Sequence, residues 1–361
     1  MYRFASKSYR RPLRAALRTA HGMWTEREGI IIRLEDDAGR VGFGEIAPIP
    51  WFGTETIAEA EEICRKFGAT VADETLDAVS ERFGCVRFAL AQARAEIEIP
   101  SREGCPTGRG VSPAGAASTP PVASRHPSQE GILVARLPIA ALLPAGRDAL
   151  KILPAKLEGG FLAFKWKVGV GAVDDELAIF NDLLARLPAY AKLRLDANGS
   201  WDRRQAAKWL ERCAERPVEF IEQPVAPADE AALLGLAADF PVTLALDESI
   251  TGLAAARRWQ GQGWPGVFVI KPALAGPLAE LAAWVAATKA DLVLSSAIET
   301  TLGRSAILRA ALTQPLTKRA LGFGVGEIFG DRCWDGPVIG PLADESCLAT
   351  NPGEELWKAL G

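Results

Sequence analysis

The sequence predicts an α/β protein: a (β/α)8-type barrel of the modified TIM kind, preceded by a small N-terminal α+β domain. Three observations carry this expectation. Between residues 161 and 271 five short apolar segments, FLAFKWKVG, KLRLDANGS, EFIEQP, LALDES and VFVIKP, each bear a charged residue at or near the C-terminal end. Stretches rich in Ala and Leu separate them at the spacing of successive βα units. Ahead of this run lies a region of alternating apolar residues and turn signals, and between the two regions the composition shifts to Gly, Pro, Ser and Ala. In a βα barrel the chemistry collects where the strands end. Lys165 with Lys167, Asp196, Glu222, Asp247 and Lys271 would therefore meet at one mouth.

A chain of 361 residues is long enough for a barrel with an added module and for a large core. Its net charge of -4 on a mixed surface suggests no polyanion, so nucleic acid is not an expected partner. No apolar run approaches the ~20 residues that span a bilayer, so a membrane is not expected either. The six cysteines, Cys64, Cys85, Cys105, Cys213, Cys333 and Cys347, lack C-x-x-C spacing, which fits reduced thiols in a cytoplasmic protein. Both histidines, His21 and His126, fall outside the βα run. An imidazole zinc site or a Ser-His-Asp triad has almost nothing to be built from. Monomer and homo-oligomer are both open at this level.

Taken in order, the Arg-rich N-terminus reads as a strand and loop rather than a targeting peptide, because it runs directly into the strand GIIIRLED. The turn Asp36-Asp37-Ala38-Gly39 and the return RVGFGEIAPIP make a hairpin. Helical patterns follow at 56–67, 74–80 and 85–98, completing a domain over 1–100. Residues 101–130 cannot bury enough apolar surface to offset their ordering entropy and read as a long Gly/Pro/Ser-rich surface loop. A barrel over 131–325 would begin with ILVARLPIA and a helix at 145–157. Strands at 161–168, 192–197 and 218–222 follow, with helices at 174–187, 201–215 and 228–238. The last four strands are expected at 242–247, 267–271, 291–296 and 320–325, and the tail, 326–361, returns to cover the small domain.

Alternation along each strand assigns the faces. Ala163, Lys165 and Lys167 share one face, opposite Phe164 and Trp166. Arg194, Asp196 and Asn198 share another, and Ala245 with Asp247 and Val267, Val269 with Lys271 continue the pattern. A single charge at a strand end is usually a solvated terminus. Five consecutive strands presenting inward charges make that account poor. Asp196, Glu222 and Asp247 would repel one another unless a cation sat among them, and an all-oxygen site suits Mg²⁺, with Mn²⁺ as a substitute. Amines beside it suggest proton transfer next to a carboxylate or carbonyl.

The K-x-K, D-A-N, E-Q-P and D-E-S segments and the lysine of V-I-K-P resemble the enolase superfamily, and within it the muconate-lactonizing-enzyme-type subgroup, over nearly the whole chain. The resemblance implies a small N-terminal α+β capping domain, proton abstraction α to a carboxylate, and an enediolate held on Mg²⁺. APIPWFGTET, RFALAQA, SSAIET and GFGVGEIF look like the o-succinylbenzoate synthase family. Its members are hydro-lyases that dehydrate 2-succinyl-6-hydroxy-2,4-cyclohexadiene-1-carboxylate in menaquinone or phylloquinone biosynthesis. By this resemblance Lys167 serves as base and then acid, and Lys271 is an electrostatic or cation-π partner. Lys165 stands beside them, and Asp196, Glu222 and Asp247 are the metal ligands. Ser295 and Ser296, with amides near Gly322 and Gly324, would hold the substrate, a small-molecule carboxylate, and Arg194 and Asn198 are further candidate contacts. Loops at 19–24 and 48–53 would close over the mouth. N-succinylamino acid racemase and dipeptide epimerase are alternatives on the same scaffold, although Gly322-Phe323-Gly324 stands where epimerases carry D-x-D. A silent metal-binding scaffold would need no positioned base.

Overall fold

The computed structural model describes residues 1–19, 22–98 and 136–361. The expected 101–130 loop, His21, His126, Cys105 and residues 132–135 of the expected first barrel strand lie outside the described residues, as do residues 20 and 21 of the 19–24 loop.

The N-terminal sheet contains β1 (Tyr2–Thr19), β2 (Gly22–Asp36), β3 (Val41–Ile46) and β4 (Thr70–Val71), in the order β3-β2-β1-β4. Instead of a strand and loop, the N-terminus is one long strand paired along β2, with its register broken between Pro12 and Leu17. Proline supplies no N–H to the ladder there. Asp36 holds the β2–β3 turn by accepting from the amides of Ala38 and Arg40. The helix Gly84–Glu98 lies directly on β3. A Cβ at Gly42 would stand 1.9 Å from the Ala93 carbonyl oxygen and one at Gly44 2.0 Å from that of Ala89, so only glycine permits this approach.

The second sheet holds β5 (Leu137–Leu143), β6 (Ala163–Lys167), β7 (Lys192–Asp196), β8 (Val218–Glu222), β9 (Leu244–Leu246), β10 (Val267–Ile270), β11 (Leu292–Leu294) and β12 (Leu321–Gly324). Parallel neighbours run β11-β10-β9-β8-β7-β6-β5-β12, and a single parallel bridge, Ser295 with Gly322, joins the two ends of the path. A short β13 (Leu342–Ala343) pairs antiparallel with β5. Helices alternate with these strands, from Asp148–Glu158 to Thr301–Thr313. Phe164, Trp166, Leu193, Leu195, Leu244, Leu246, Phe268 and Ile270 lie in the core that packs the helices. Separate clusters of Phe220, Ala245, Val267, Val269 and Val293, and of Ala140, Ala163 and Ala320, fill the inner side. Each fully buried apolar side chain of this size contributes ~1.5–3 kcal/mol, which fixes the register of a two-faced strand.

Two expectations about the strands are corrected. The first barrel strand runs later, to Leu143, because Leu142 and Leu143 pair with Lys165 and Trp166. The strands expected at 242–247, 267–271 and 291–296 are shorter, because the chain turns as it reaches its polar residues. At Lys271 the reason is explicit: Pro272 opens a short helix, Pro272–Ala275, of which Lys271 is the N-cap.

Two features dock the small sheet on the larger one. Buried Glu45 on β3 accepts from Tyr9 Oη and from Thr300 N, Thr300 Oγ1 and Gly303 N, at the start of the helix Thr301–Thr313. A carboxylate at a helix N-terminus satisfies otherwise orphaned amides. Trp334 and Leu356 of the C-terminal tail pack with Tyr9, Ile31 and Phe43. Among the described residues, no helix is long and apolar enough to cross a membrane.

Candidate active site

Alternation on β6, β7 and β8 brings Lys165, Asp196 and Glu222 together. Lys165 Nζ donates to Glu222 Oε1 at 2.5 Å and lies 2.9 Å from Asp196 Oδ2. Burial alone would lower the lysine's proton affinity, but Asp196, Glu222 and Asp247 outweigh it and hold the ammonium above its usual range. Glu222 moves the other way for a carboxylate. Burial pushes its carboxyl well up, and repulsion from Asp196 and Asp247 adds to this against the pull of Lys165.

Lys167, next on the same inward face, pairs with Asp196 in the backbone ladder. Lys165 and Lys271 are engaged in ion pairs; Lys167 makes none among the described residues. The loop that follows it is built on buried Glu176, whose carboxylate accepts the amides of Gly169, Val170 and Gly171 at 2.8, 3.0 and 3.0 Å. Three charge-assisted bonds give that strand end little freedom.

Gln223 and Asn198 order the acidic residues. Gln223, fully buried and in a left-handed conformation (φ 37°), accepts from the amides of Asp247 and Ser249 and donates to Ser249 Oγ and the Val225 carbonyl. It thereby ties the end of β8 to the turn after β9. Asn198 (φ 46°) donates through its backbone amide to Asp196 Oδ1 at 3.2 Å and through Nδ2 to Glu248 Oε1 at 2.9 Å. Burial, then Asp247 and Asp196, raise the Glu248 carboxyl to about 7.

Lys271 Nζ pairs closely with Asp247 Oδ1 and lies 4.0 Å from the centroid of the Phe52 ring. Phe52 belongs to the small domain, in a single 3-10 turn, Pro50–Phe52. The expected approach of the 48–53 loop to the barrel mouth thus takes the form of an aromatic face on a lysine.

Not every candidate joins this cluster. Arg194 is inward-facing but deeper: its Nε donates to Glu219 Oε2 at 2.7 Å and its Nη1 to the Ala320 carbonyl at 2.9 Å. Burial favours the protonated form of Glu219, but Arg194 and Arg319 outweigh this and hold its carboxyl below the usual range. The expected substrate contact for Arg194 is therefore corrected to an ion-pair network inside the sheet. Ser296 Oγ accepts from the Ile298 amide and donates to Glu299 Oε2, which closes a turn. Ser295 is bridged to Gly322, where a Cβ would stand 2.7 Å from Ser295 Oγ. A Cβ at Gly324 would meet the Ala140 carbonyl oxygen at 2.1 Å, so close strand packing accounts for that glycine.

No ready cage of three or more His, Cys, Asp or Glu side chains is formed among the described residues. Amines stand between the acids instead: Lys165 at Asp196 and Glu222, Lys271 at Asp247. The donor set nevertheless fits a hard divalent cation. Three buried carboxylates stand at the ends of adjacent strands, burial and its two acidic neighbours push the Glu222 carboxyl up, and oxygen donors of this kind suit Mg²⁺.

Sequence reasoning missed Gln223, Glu248 and Phe52. The first two lie inside the quoted E-Q-P and D-E-S segments, beside residues that were singled out. Phe52 lies within the 48–53 loop expected at the mouth, but its own contact with Lys271 depends on how the two sheets dock.

A family model described as "Enolase C-terminal domain-like" matches residues 151–325, and one described as "MenC, N-terminal domain" matches residues 3–97. The o-succinylbenzoate synthase of Thermosynechococcus vestitus is 37% identical over 99% of this chain and 99% of its own. That of Edwardsiella ictaluri is 32% identical over 84% of each. Among solved structures, o-succinylbenzoate synthase from Thermosynechococcus elongatus BP-1, complexed with Mg in the active site, superposes with a TM-score of 0.80 at 34% identity over 99% of each chain. The L-Ala-D/L-Glu epimerase from Bacillus subtilis, at a TM-score of 0.73 and 18% identity over 95% of each chain, shares the fold alone.

Proposed function

Since the chain belongs to the o-succinylbenzoate synthase family, we propose that its barrel mouth dehydrates 2-succinyl-6-hydroxy-2,4-cyclohexadiene-1-carboxylate to o-succinylbenzoate, on the route to menaquinone or phylloquinone. The observation that carries this reading is the gathering of Lys165, Asp196, Glu222, Asp247 and Lys271 at successive strand ends, in a chain so related over its full length.

Lys167, whose amine makes no ion pair among the described residues, takes the proton α to the substrate carboxylate. The same group returns it to the hydroxyl leaving on that face: the C–H bond breaks, a ring double bond forms, the C–O bond breaks, and water departs. Mg²⁺ held by Asp196, Glu222 and Asp247 would supply positive charge to the substrate carboxylate as that proton leaves. Mn²⁺ would serve with the same oxygen donors. Lys165 holds Asp196 and Glu222 in place. Lys271, with Asp247 on one side and the Phe52 ring on the other, presents a fixed positive charge across the site. Asn198 orients Asp196 and Glu248, and the segment of Ser295 and Ser296 with the amides near Gly322 and Gly324 receives the other end of the small carboxylate substrate.

On this reading residues 1–100 cap a barrel over 131–325 that closes through the Ser295–Gly322 bridge, and 326–361 return to the cap. The five cysteines free among the described residues support a cytoplasmic location.

The test is turnover by the purified protein with Mg²⁺, comparing the cyclohexadiene acid with N-succinylamino acids. Dehydration is expected to dominate. Racemization of the amino acid without dehydration would overturn the reading.

A further inference from the structure

Arg27, on β2, is 2% exposed and, among the described residues, donates only to backbone carbonyls. Its Nε reaches Ile298 at 3.0 Å and its Nη2 reaches Ala297 at 3.4 Å, both in the segment after β11. Nη1 reaches Pro48 at 2.7 Å and Glu28 at 2.9 Å, and Nη2 also bonds Ala47. One guanidinium thus holds three backbone segments: its own strand, the residues leading to Phe52, and the residues following Ser295 and Ser296. Its planar fork of donors can do this; an ammonium cannot. The guanidinium carbon also lies 5.4 Å from the Trp24 ring centroid, and Trp24 meets Trp51 edge-on at 5.0 Å.

The carbonyl held by Arg27 Nε belongs to a residue in an unfavourable conformation. Ile298 has φ 59°, a left-handed backbone that a β-branched residue adopts only under constraint. Its amide is tied to Ser296 Oγ at 3.0 Å, so the constraint on Ile298 is also a constraint on the serine turn.

We propose that Arg27 is a positioning residue: from the small domain it pins Ile298 in the left-handed conformation and thereby shapes the Ser295–Ser296 segment at the barrel mouth. The small domain then helps to build the substrate site as well as cover it. This rests on the proposal that the serine segment receives substrate. Arg27 itself touches neither substrate nor metal.

A double-mutant cycle separates this role from mere stability. Arg27→Lys keeps the charge but loses the fork, and is expected to raise KM by about 10-fold with a smaller change in kcat, because a conformation this costly is depopulated once unpinned. Glycine takes the left-handed conformation without penalty. Ile298→Gly alone should therefore leave KM unchanged, and added to Arg27→Lys it should restore KM to within about 3-fold of wild type. Equal KM for Arg27→Lys and wild type, or no rescue by Ile298→Gly, would overturn the proposal. Should Arg27→Lys not fold, Ile298→Gly still decides, since a 10-fold rise in its KM contradicts a strained, externally pinned residue. Amide exchange over residues 295–300 gives a reading independent of activity: faster in Arg27→Lys, restored in the double variant. If exchange follows this pattern while the wild-type protein fails to dehydrate the cyclohexadiene acid, the pin stands and the functional reading falls. Unaltered exchange in Arg27→Lys overturns the pin.

Discussion

The amine of Lys271, just past the end of β10, faces the ring of Phe52 with its Nζ 4.0 Å from the ring centroid. A lysine paired with a buried carboxylate is thereby also in contact with the small domain. Cation-π contacts contribute ~0.5–2 kcal/mol, more when desolvated. Phe52→Ala is expected to raise KM by about 3- to 30-fold while Mn²⁺ affinity stays within about 2-fold. Steady-state kinetics and calorimetric titration check both halves, and unchanged KM would show that the ring plays no part in the site.

Metal affinity should depend on side chains at two distances. Asp196→Asn or Asp247→Asn is expected to weaken Mn²⁺ binding by about 100-fold or more, because each would remove a charged group from the proposed ligand set. Gln223→Ala breaks the bonds to the amides of Asp247 and Ser249 and should cost about 10- to 100-fold, the usual effect of a residue that orients a ligand. Wild-type affinity in Asp247→Asn would remove that residue from the ligand set.

Glu299 gives the stability a specific pH dependence. Burial, with Glu45 adding to it, raises its carboxyl from 4.5 to about 7 in the folded chain. Between these values the unfolded state releases the proton and the folded state keeps it, so the contribution is complete below about pH 4.5 and is lost as pH rises to about 7. The swing is roughly 3 kcal/mol at most. Denaturant unfolding of Glu299→Gln should show this segment of the wild-type profile flattened, and parallel profiles would contradict the assignment.

Arg194 should matter to stability and hardly to binding. Arg194→Met leaves the buried carboxylate of Glu219 with fewer partners and is expected to cost ~3 kcal/mol, with KM within about 2-fold of wild type. A raised KM at unchanged stability would return Arg194 to the substrate site.

That last case shows what a sequence can and cannot say here. Alternation placed Arg194, Asp196, Ala245, Asp247 and Val269 on the inner face, because side-chain direction is a local property of a strand. Depth along the barrel axis is not local, so Arg194 and Asp196 looked alike although one binds Glu219 and Ala320 and the other meets Lys165. Gln223 and Glu248 were in view within their motifs, but only the fold shows what their side chains hold. Arg27 and Ile298 are 271 residues apart, and no period within one segment could connect them.

The assignment of Lys167 as base and Lys271 as electrostatic partner is tested most directly by hydrogen exchange at the α-carbon in D₂O, using a non-dehydrating analogue of the cyclohexadiene acid with Mg²⁺ present. Lys167→Ala should abolish exchange, and Lys271→Arg, which keeps the charge, should leave it measurable. Exchange that survives Lys167→Ala and disappears in Lys271→Arg would reverse the two roles and contradict this account of the site.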